Sequence, residues 1–422
     1  MRKFLLATSA LLGAAVGIAG VANAGTLTPN APNPAPGSIT VTLNALVEAF
    51  AIGGSDSGSN GGRSGIKSQN YAVASYARLY PSFDGVLANG LKYGGSIELR
   101  QFSGATTNAS QSQSGIFVQR EFIYIGADKF GKVSLGTPVQ PSELFQVGNE
   151  VGFNTGGWDG DLPGFFNGGG LKYMIDDDND RNEKAVYVSP QVAGFDFGVS
   201  FEPNSSVNNF GGNGARTTSA PANSLNPSPQ LGRRVNTVDG ALRYQAAFGP
   251  VGLKANVAAS YGGVVRANDG SPSGRDFTLY AGGLAATLAG FEIGGHIDSG
   301  VYGDDLGSIR RGATGTTAYI GGGQYTFGPF VVGANYYAYD SGEYKGNQVA
   351  ATAAGVGAGG GLHGYGVAAG GTYTLAPGAS VFLEYLFGQQ RANNIDITSG
   401  TASALHNRVR SQAFGIGSAF KW

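Results

Sequence analysis

The residues of this chain that could do chemistry are few, and each set fails on spacing or context. Gly355-Val356-Gly357-Ala358-Gly359-Gly360 spells the G-x-G-x-x-G pattern of a dinucleotide-binding turn. That turn needs a strand before it and a helix after it, because the pyrophosphate sits on the helix N-terminus. No amphipathic helix follows here, so the segment reads as a flexible loop. Asp176-Asp177-Asp178-Asn179-Asp180 is the densest acidic run, and Asp176, Asp178 and Asp180 have the one-three-five spacing of calcium ligands. The sixth position is Arg181 instead of Gly, and no Glu stands at the twelfth, so bound calcium is a weak candidate beside a solvated acidic arm. The three His residues, His296, His363 and His406, are far apart, and no nucleophile elbow marks a Ser-His-Asp site. Neither an enzyme nor a cofactor is expected.

Composition narrows the field further. The 422 residues include 73 Gly, 17 Pro and no Cys, with 41% hydrophobic, 11% aromatic and only 13% charged. Absence of Cys removes disulfides, thiolate metal sites and Cys nucleophiles. The aromatic and hydrophobic content argues against disorder, and no Gly-X-Y repeat suggests collagen. Formal net charge is −1, which gives no basic field for a nucleic-acid partner.

Residues 1–24 read as a secretory signal. Arg2 and Lys3 form the positive end, Phe4 to Val21 the apolar run, and Ala22-Asn23-Ala24 the small-x-small cleavage site. Cleavage would leave 25 basic and 28 acidic residues, a charge near −3. Residues 25–38 are a Pro-rich leader of extended, polyproline-like character. Beyond Gly25 no run of apolar residues is long enough for a membrane helix.

From Ser38 onward the dominant signal has period two. Phe195, Phe197, Val199 and Phe201 alternate with Asp196, Gly198, Ser200 and Glu202. Val251, Leu253, Ala255 and Val257 alternate with Lys254 and Asn256; Phe291, Ile293 and Ile297 alternate with Glu292, His296 and Asp298. Near the C-terminus Phe414, Ile416, Phe420 and Trp422 alternate with Gly415, Gly417, Ala419 and Lys421. Such sets lie on opposite faces of strands. The strands are about ten residues or longer and number about sixteen.

Short connections alternate with long ones. The short turns are placed at Ser82-Phe83-Asp84-Gly85, Ala127-Asp128-Lys129, Gln191-Val192-Ala193, Gly249-Pro250, Ala289-Gly290, Gly328-Pro329 and Ala376-Pro377-Gly378. The long loops are 52–69, 103–114, 138–182, 204–233, 262–274, 301–313, 341–361 and 391–407. Tyr80, Phe83, Tyr244, Phe248, Tyr325, Phe327, Phe330, Tyr373, Phe420 and Trp422 gather beside the short turns, as an interfacial aromatic girdle would. A soluble sandwich has strands nearer five or six residues and no need of such a girdle. The expected fold is an all-β, transmembrane antiparallel barrel over 39–422, with short periplasmic turns and long external loops.

Several stretches resemble the Gram-negative general porins, especially those of alphaproteobacteria. They are Leu79-Tyr80-Pro81-Ser82-Phe83-Asp84-Gly85 with Ala88-Asn89-Gly90-Leu91, then Gly131-Lys132-Val133-Ser134-Leu135-Gly136. Val186-Tyr187-Val188-Ser189-Pro190 with Gly194-Phe195-Asp196-Phe197-Gly198-Val199-Ser200 is the most specific. Phe420 and Trp422 end the last strand in a way similar to the signal read by the barrel-assembly machinery, with Trp where that family usually has Phe. The resemblance implies a sixteen-stranded barrel in the outer membrane, a homotrimer, and contact with lipid bilayer and lipopolysaccharide. It also implies that the third long loop, 138–182, folds inward and narrows the channel. Asp161-Leu162-Pro163-Gly164-Phe165-Phe166 is similar to the family's Pro-Glu-Phe-Gly-Gly constriction motif, with Gly164 in place of its acid. Asp159 and Asp161 are the nearest replacements, and Glu143 and Glu150 stand further off.

With apolar residues facing lipid, parity sends Arg78, Lys92, Glu98, Arg100, Asp196, Glu202, Asp239, Arg243, Lys254, Glu292, His296, Asp298 and Glu384 to the lumen. Basic charge on the lipid face costs about 2–4 kcal/mol at mid-depth, which favours that placement. Strand 115–126 admits either Arg120 or Glu121. Tyr76, Tyr337 and Tyr339 also fall on the inward parity. The expected function is passive diffusion of small hydrophilic solutes and ions, with mild cation selectivity from the loop acids. The rivals are a substrate-specific channel, which needs a continuous aromatic track, and an adhesin or structural surface barrel.

Overall fold

The computed structural model describes residues 35–57, 70–105, 112–148, 157–160, 162, 173–175, 182–204, 234–264, 275–303, 309, 313–342, 361–392, 397 and 407–422. Sixteen strands run in chain order. The first eight are β1 (Ile39–Asp56), β2 (Tyr71–Val86), β3 (Lys92–Ala105), β4 (Ser112–Ala127), β5 (Gly131–Gly136), β6 (Lys184–Val188), β7 (Phe195–Asn204) and β8 (Arg234–Phe248). The second eight are β9 (Val251–Val264), β10 (Phe277–Leu288), β11 (Phe291–Val301), β12 (Thr316–Phe327), β13 (Phe330–Ser341), β14 (Leu362–Ala376), β15 (Ala379–Ala392) and β16 (Arg408–Lys421). Each pairs antiparallel with its neighbours in sequence, and β1 closes on β16 from Leu46↔Lys421 to Asp56↔Ser411. The ring has no edge. Unpaired backbone groups in lipid would cost several kcal/mol each, and closure removes them.

Alternation sets the two faces. On β9, Asn256, Ala258 and Ser260 are buried inward while Val257 and Tyr261 stand outward; on β11, Ile293 and Ile297 stand outward at 68% and 49% exposure while His296 and Asp298 are buried. An outer surface this apolar belongs in hydrocarbon. At the short-turn end Phe291, Tyr325, Phe327, Phe330 and Tyr373 form a continuous ring-to-ring band, with centroids 4.2 to 5.5 Å apart. The β10–β11 turn is two residues, Ala289 and Gly290, both with positive φ (49° and 87°), the hairpin geometry that matches strand twist.

Two expectations at this end are corrected. Ser82–Gly85 is strand: β2 continues to Val86, and the turn is 87–91, where Leu87 N donates to Leu91 O. Tyr80 falls on the inward face of β2, between Arg78 and Ser82, and so leaves the girdle. Pro81 and Asp84-Gly85 are turn-type residues that here sit within a strand without ending it.

The ambiguity on β4 has a geometric cause. The β3–β4 register shifts after Glu98↔Arg120, so that Leu99 faces Val118 and Gln119 is the extra residue. A bulge switches parity. Ile116 and Val118 point outward before it, Ile123 and Ile125 after it, and Gln119 and Arg120 are both buried. Arg120 therefore faces the lumen, and Glu121 has the outward parity of Ile123.

Candidate functional site

The chain between β5 and β6 enters the barrel. Its first leg carries a one-turn helix, α1 (Pro141–Leu144), begun by Pro at the first turn, where a missing N–H costs nothing. The turn lies against β7, β8 and β9. Gly198 on the inner wall of β7 makes room: a Cβ there would lie 3.0 Å from the Pro141 ring and 3.3 Å from Phe145. Ser142 N donates to Asp239 Oδ1 at 2.9 Å, and Asp239 also takes the Ser260 hydroxyl. Arg243 stacks over Phe145 at 4.6 Å while its guanidinium grips Asp196 at 2.6 and 3.1 Å. Glu143 points back toward β4 and accepts from Arg120 Nη2 at 3.4 Å, with the side chains 4% and 1% exposed.

Further along, the loop follows the wall. Val147 O lies 2.9 Å from His296 Nδ1, whose Nε2 is hydrogen-bonded to Asp298 at 2.9 Å. Gly283 and Gly294 let Val147 and Gly148 approach, since a Cβ on either would press on the loop backbone. Trp158 lies over Gly366 of β14 and 5.2 Å from Tyr337 of β13. Leu162 meets Gly415 of β16, and Met174 N donates to Tyr337 Oη at 2.6 Å. Trp158, Leu162, Met174 and Ile175 join one buried cluster with Phe50, Ile52, Ile320, Phe382 and Leu386. Full burial of each such side chain contributes about 1.5–3 kcal/mol. The returning chain is tied by Asn182 Nδ2 to Glu202 at 3.3 Å, beside Arg234.

This seat was missed from sequence, because apolar residues were assigned to lipid throughout. Phe50, Ile52, Phe382 and Leu386 instead face inward and, together with Tyr337 on its expected inward parity, are buried with the loop. The available signal is Val381-Phe382-Leu383 on β15 and Ala49-Phe50-Ala51-Ile52 on β1, apolar on both parities where β7 and β11 alternate cleanly. Tyr76 donates to Glu48 at 2.7 Å, while Tyr337 and Tyr339 are almost fully buried. The inward tyrosines thus form part of the loop's seat instead of an open track.

The wall charges come largely in pairs. Arg78 and Arg100 occupy opposing positions on β2 and β3; Arg100 is bonded to Glu98, and Arg78 lies over the Tyr76 ring at 5.1 Å. Lys92 meets Asp128 at 2.6 Å at the short-turn end. Lys254 is exposed at the same end, and Glu292 takes the Gln324 amide at 2.7 Å. Glu384 is buried on the inner face of β15. Among the loop acids, Glu143 sits in its ion pair and Asp159 closes the short 3-10 turn Gly157–Asp159. Glu150, Asp161, Asp176, Asp178 and Asp180 lie outside the described residues, as do residues 1–34. At the other end of the chain, Trp422 exchanges backbone bonds with Ala45 and, like Phe420, turns its ring outward.

A closed sixteen-stranded barrel with an apolar outside, a charged inside and a chain segment folded into it defines an outer-membrane channel protein. The chain belongs to the Gram-negative porin family, whose model matches residues 7–393. Similar folds include the anion-selective porin from Comamonas acidovorans, 17% identical with a TM-score of 0.54, over 91% of this chain and 100% of that one. The outer membrane channel DcaP of Acinetobacter baumannii is 14% identical with a TM-score of 0.53, over 91% and 97%. In-vitro folded OmpT of Vibrio cholerae, in trimer form, is 13% identical with a TM-score of 0.51, over 91% and 100%. At these identities the likeness shows the fold. No curated protein sequence matches the chain.

Proposed function

We propose that this porin is a water-filled channel through which small hydrophilic solutes and ions diffuse passively, with the loop between β5 and β6 setting its narrowest section. The observation that carries the reading is the path of that loop, bonded from Asp239 on β8 to Tyr337 on β13 inside the closed barrel. Three copies assemble as a homotrimer, a step taken from the trimeric relative. The leader 1–24 is removed on export, and Phe420 with Trp422 serves the barrel-assembly machinery as the terminal signal. A substrate-specific channel is disfavoured because the wall aromatics Tyr337 and Tyr339 are buried in the seat of the loop, where Trp158 packs on Tyr337, and do not form an open track.

Ion preference is weak in this reading. Fixed charge acts most strongly where the channel is narrow, and ion pairs there cancel. Glu143, one of four acids expected to favour cations, is neutralised by Arg120. The mild cation preference then rests on Asp159 and Asp161, with Glu150 further off. Planar-bilayer recordings in a KCl gradient should give stepwise conductance with a small reversal potential of cationic sign. D159N/D161N should move it toward chloride. A strong anionic wild-type potential, or no movement in the double variant, would remove these aspartates from the constriction.

A further inference from the structure

His296 stands on the inner face of β11, opposite Gly283 of β10 and Ile320 of β12, and its side chain is fully buried. Both of its ring nitrogens face acceptors. Nδ1 lies 2.9 Å from the Val147 carbonyl of the loop, and Nε2 lies 2.9 Å from Asp298 Oδ1. A neutral imidazole has one N–H and one lone pair, so beside an ionised carboxylate it satisfies only one of these oxygens. Making both bonds takes one further proton, held on the ring as imidazolium or on Asp298 as the acid. In the first case both nitrogens donate. In the second, Nδ1 donates to Val147 while Nε2 accepts from the acid. Without that proton, a ring lone pair is set against either the loop carbonyl or the carboxylate, and a buried acceptor goes unsatisfied.

Among the described residues no other charge faces the ring. On β11 the inward groups toward the short-turn end are Gly294 and then Glu292, which takes the Gln324 amide. The inward positions of β10 and β12 nearest the ring are Ala, Gly and Ile. Beyond Gly283, β9 places the uncharged Asn256, with Lys254 two positions nearer the short turns. The loop brings Gln146, Val147 and Gly148, while its Glu143 is turned to Arg120. The loop backbone lies directly on the wall here: a Cβ on Gly283 would come 1.8 Å from Val147 O, and one on Gly148 would come 2.3 Å from Gly295 O. Val147 thus holds the loop midway between Ser142 on Asp239 and Trp158 on Tyr337. Resting on the channel reading above, we propose that His296 and Asp298 form a proton-dependent latch on the loop, fastened while the pair holds its extra proton and released when that proton leaves. His296 is a positioning residue, and the loop is held at acid pH and loosened at alkaline pH.

The test records the full-length protein in planar bilayers from about pH 5 to about pH 9, a span that brackets imidazole titration. Brief current excursions of the wild type should become on the order of 10-fold more frequent across a single-proton step as pH rises, the change expected for one lost charge-assisted hydrogen bond. His296→Gln has no ring to titrate, and its excursions should not depend on pH. Asp298→Asn is the sharper variant, because the new amide donates to Nε2 and leaves Nδ1–H for Val147 without any extra proton. That variant should stay quiet over the whole range, which a merely structural role for Asp298 would not produce. A second readout needs no current. The chain has no Cys, so Val147→Cys, which keeps the carbonyl at a buried position, supplies a unique thiol for a membrane-impermeant reagent. Above the step, its labelling should be on the order of 10-fold faster with Asp298 present than in the Asp298→Asn background at the same pH. A protein that shows this labelling but conducts no current would keep the latch and lose the channel reading. A pH step that survives in either variant, or excursions and relative labelling that stay flat with pH in the wild type, would overturn the proposal.

Discussion

Trp158→Ala is expected to raise single-channel conductance and to admit larger solutes than the wild type passes. The ring packs over Gly366 and against Tyr337, in the cluster that also holds Leu162, Met174 and Ile175. Truncating a buried Trp costs about 3–5 kcal/mol, which is comparable with the burial energy of the other loop anchors. The barrel ladders do not pass through this residue, so the folded, heat-modifiable form should still accumulate. Gly366→Ala should act in the same direction from the wall side, because a Cβ there meets both the Trp158 ring and the neighbouring strand. Conductance unchanged in both variants would mean that this part of the loop does not narrow the channel.

The second large effect concerns the first leg of the loop. Arg120→Met leaves the Glu143 carboxylate inside the wall without its guanidinium, and breaking a buried pair from one side costs about 3–5 kcal/mol. Arg120 also faces Glu98 in register, which adds a second carboxylate to the cost. The urea midpoint of the refolded protein should fall clearly, and bilayer traces should show added open-channel noise as α1 loosens from Asp239 and Phe145's seat. R120M/E143M removes both charges and should recover most of the lost stability, since apolar replacement of a buried pair is often neutral. A double variant no better than the single one would show that the pair does not hold the loop.

Much of the barrel was legible because lipid makes the period-two pattern obligatory. Outer-face residues within the apolar band of β9, β11 and β16, such as Val257, Ile293, Ile297, Phe414 and Ile416, answer to hydrocarbon, so their alternation appears in the sequence. The exceptions are local events that a parity rule cannot carry. A bulge at Gln119 shifts β4 by one residue, and only the partner strand reveals it. Pro81 within β2 mimics a turn signal. The site was less legible than the wall for a related reason. A loop folded into the lumen creates a second apolar environment, so Phe50, Phe382 and Leu386 obey the loop and not the membrane. The pairing of Arg120 with Glu143 joins residues on a strand and a one-turn helix, and no spacing rule connects them.

The most direct measurement is the swelling of protein-loaded liposomes in uncharged sugars of increasing size. A water-filled channel narrowed by one loop should pass the smallest sugar fastest, with rates falling smoothly as size grows and a common cut-off for chemically different sugars. Rates should also stay proportional to sugar concentration, without saturation. No swelling in any sugar, or saturating uptake of one sugar with exclusion of others of equal size, would contradict passive diffusion through this barrel.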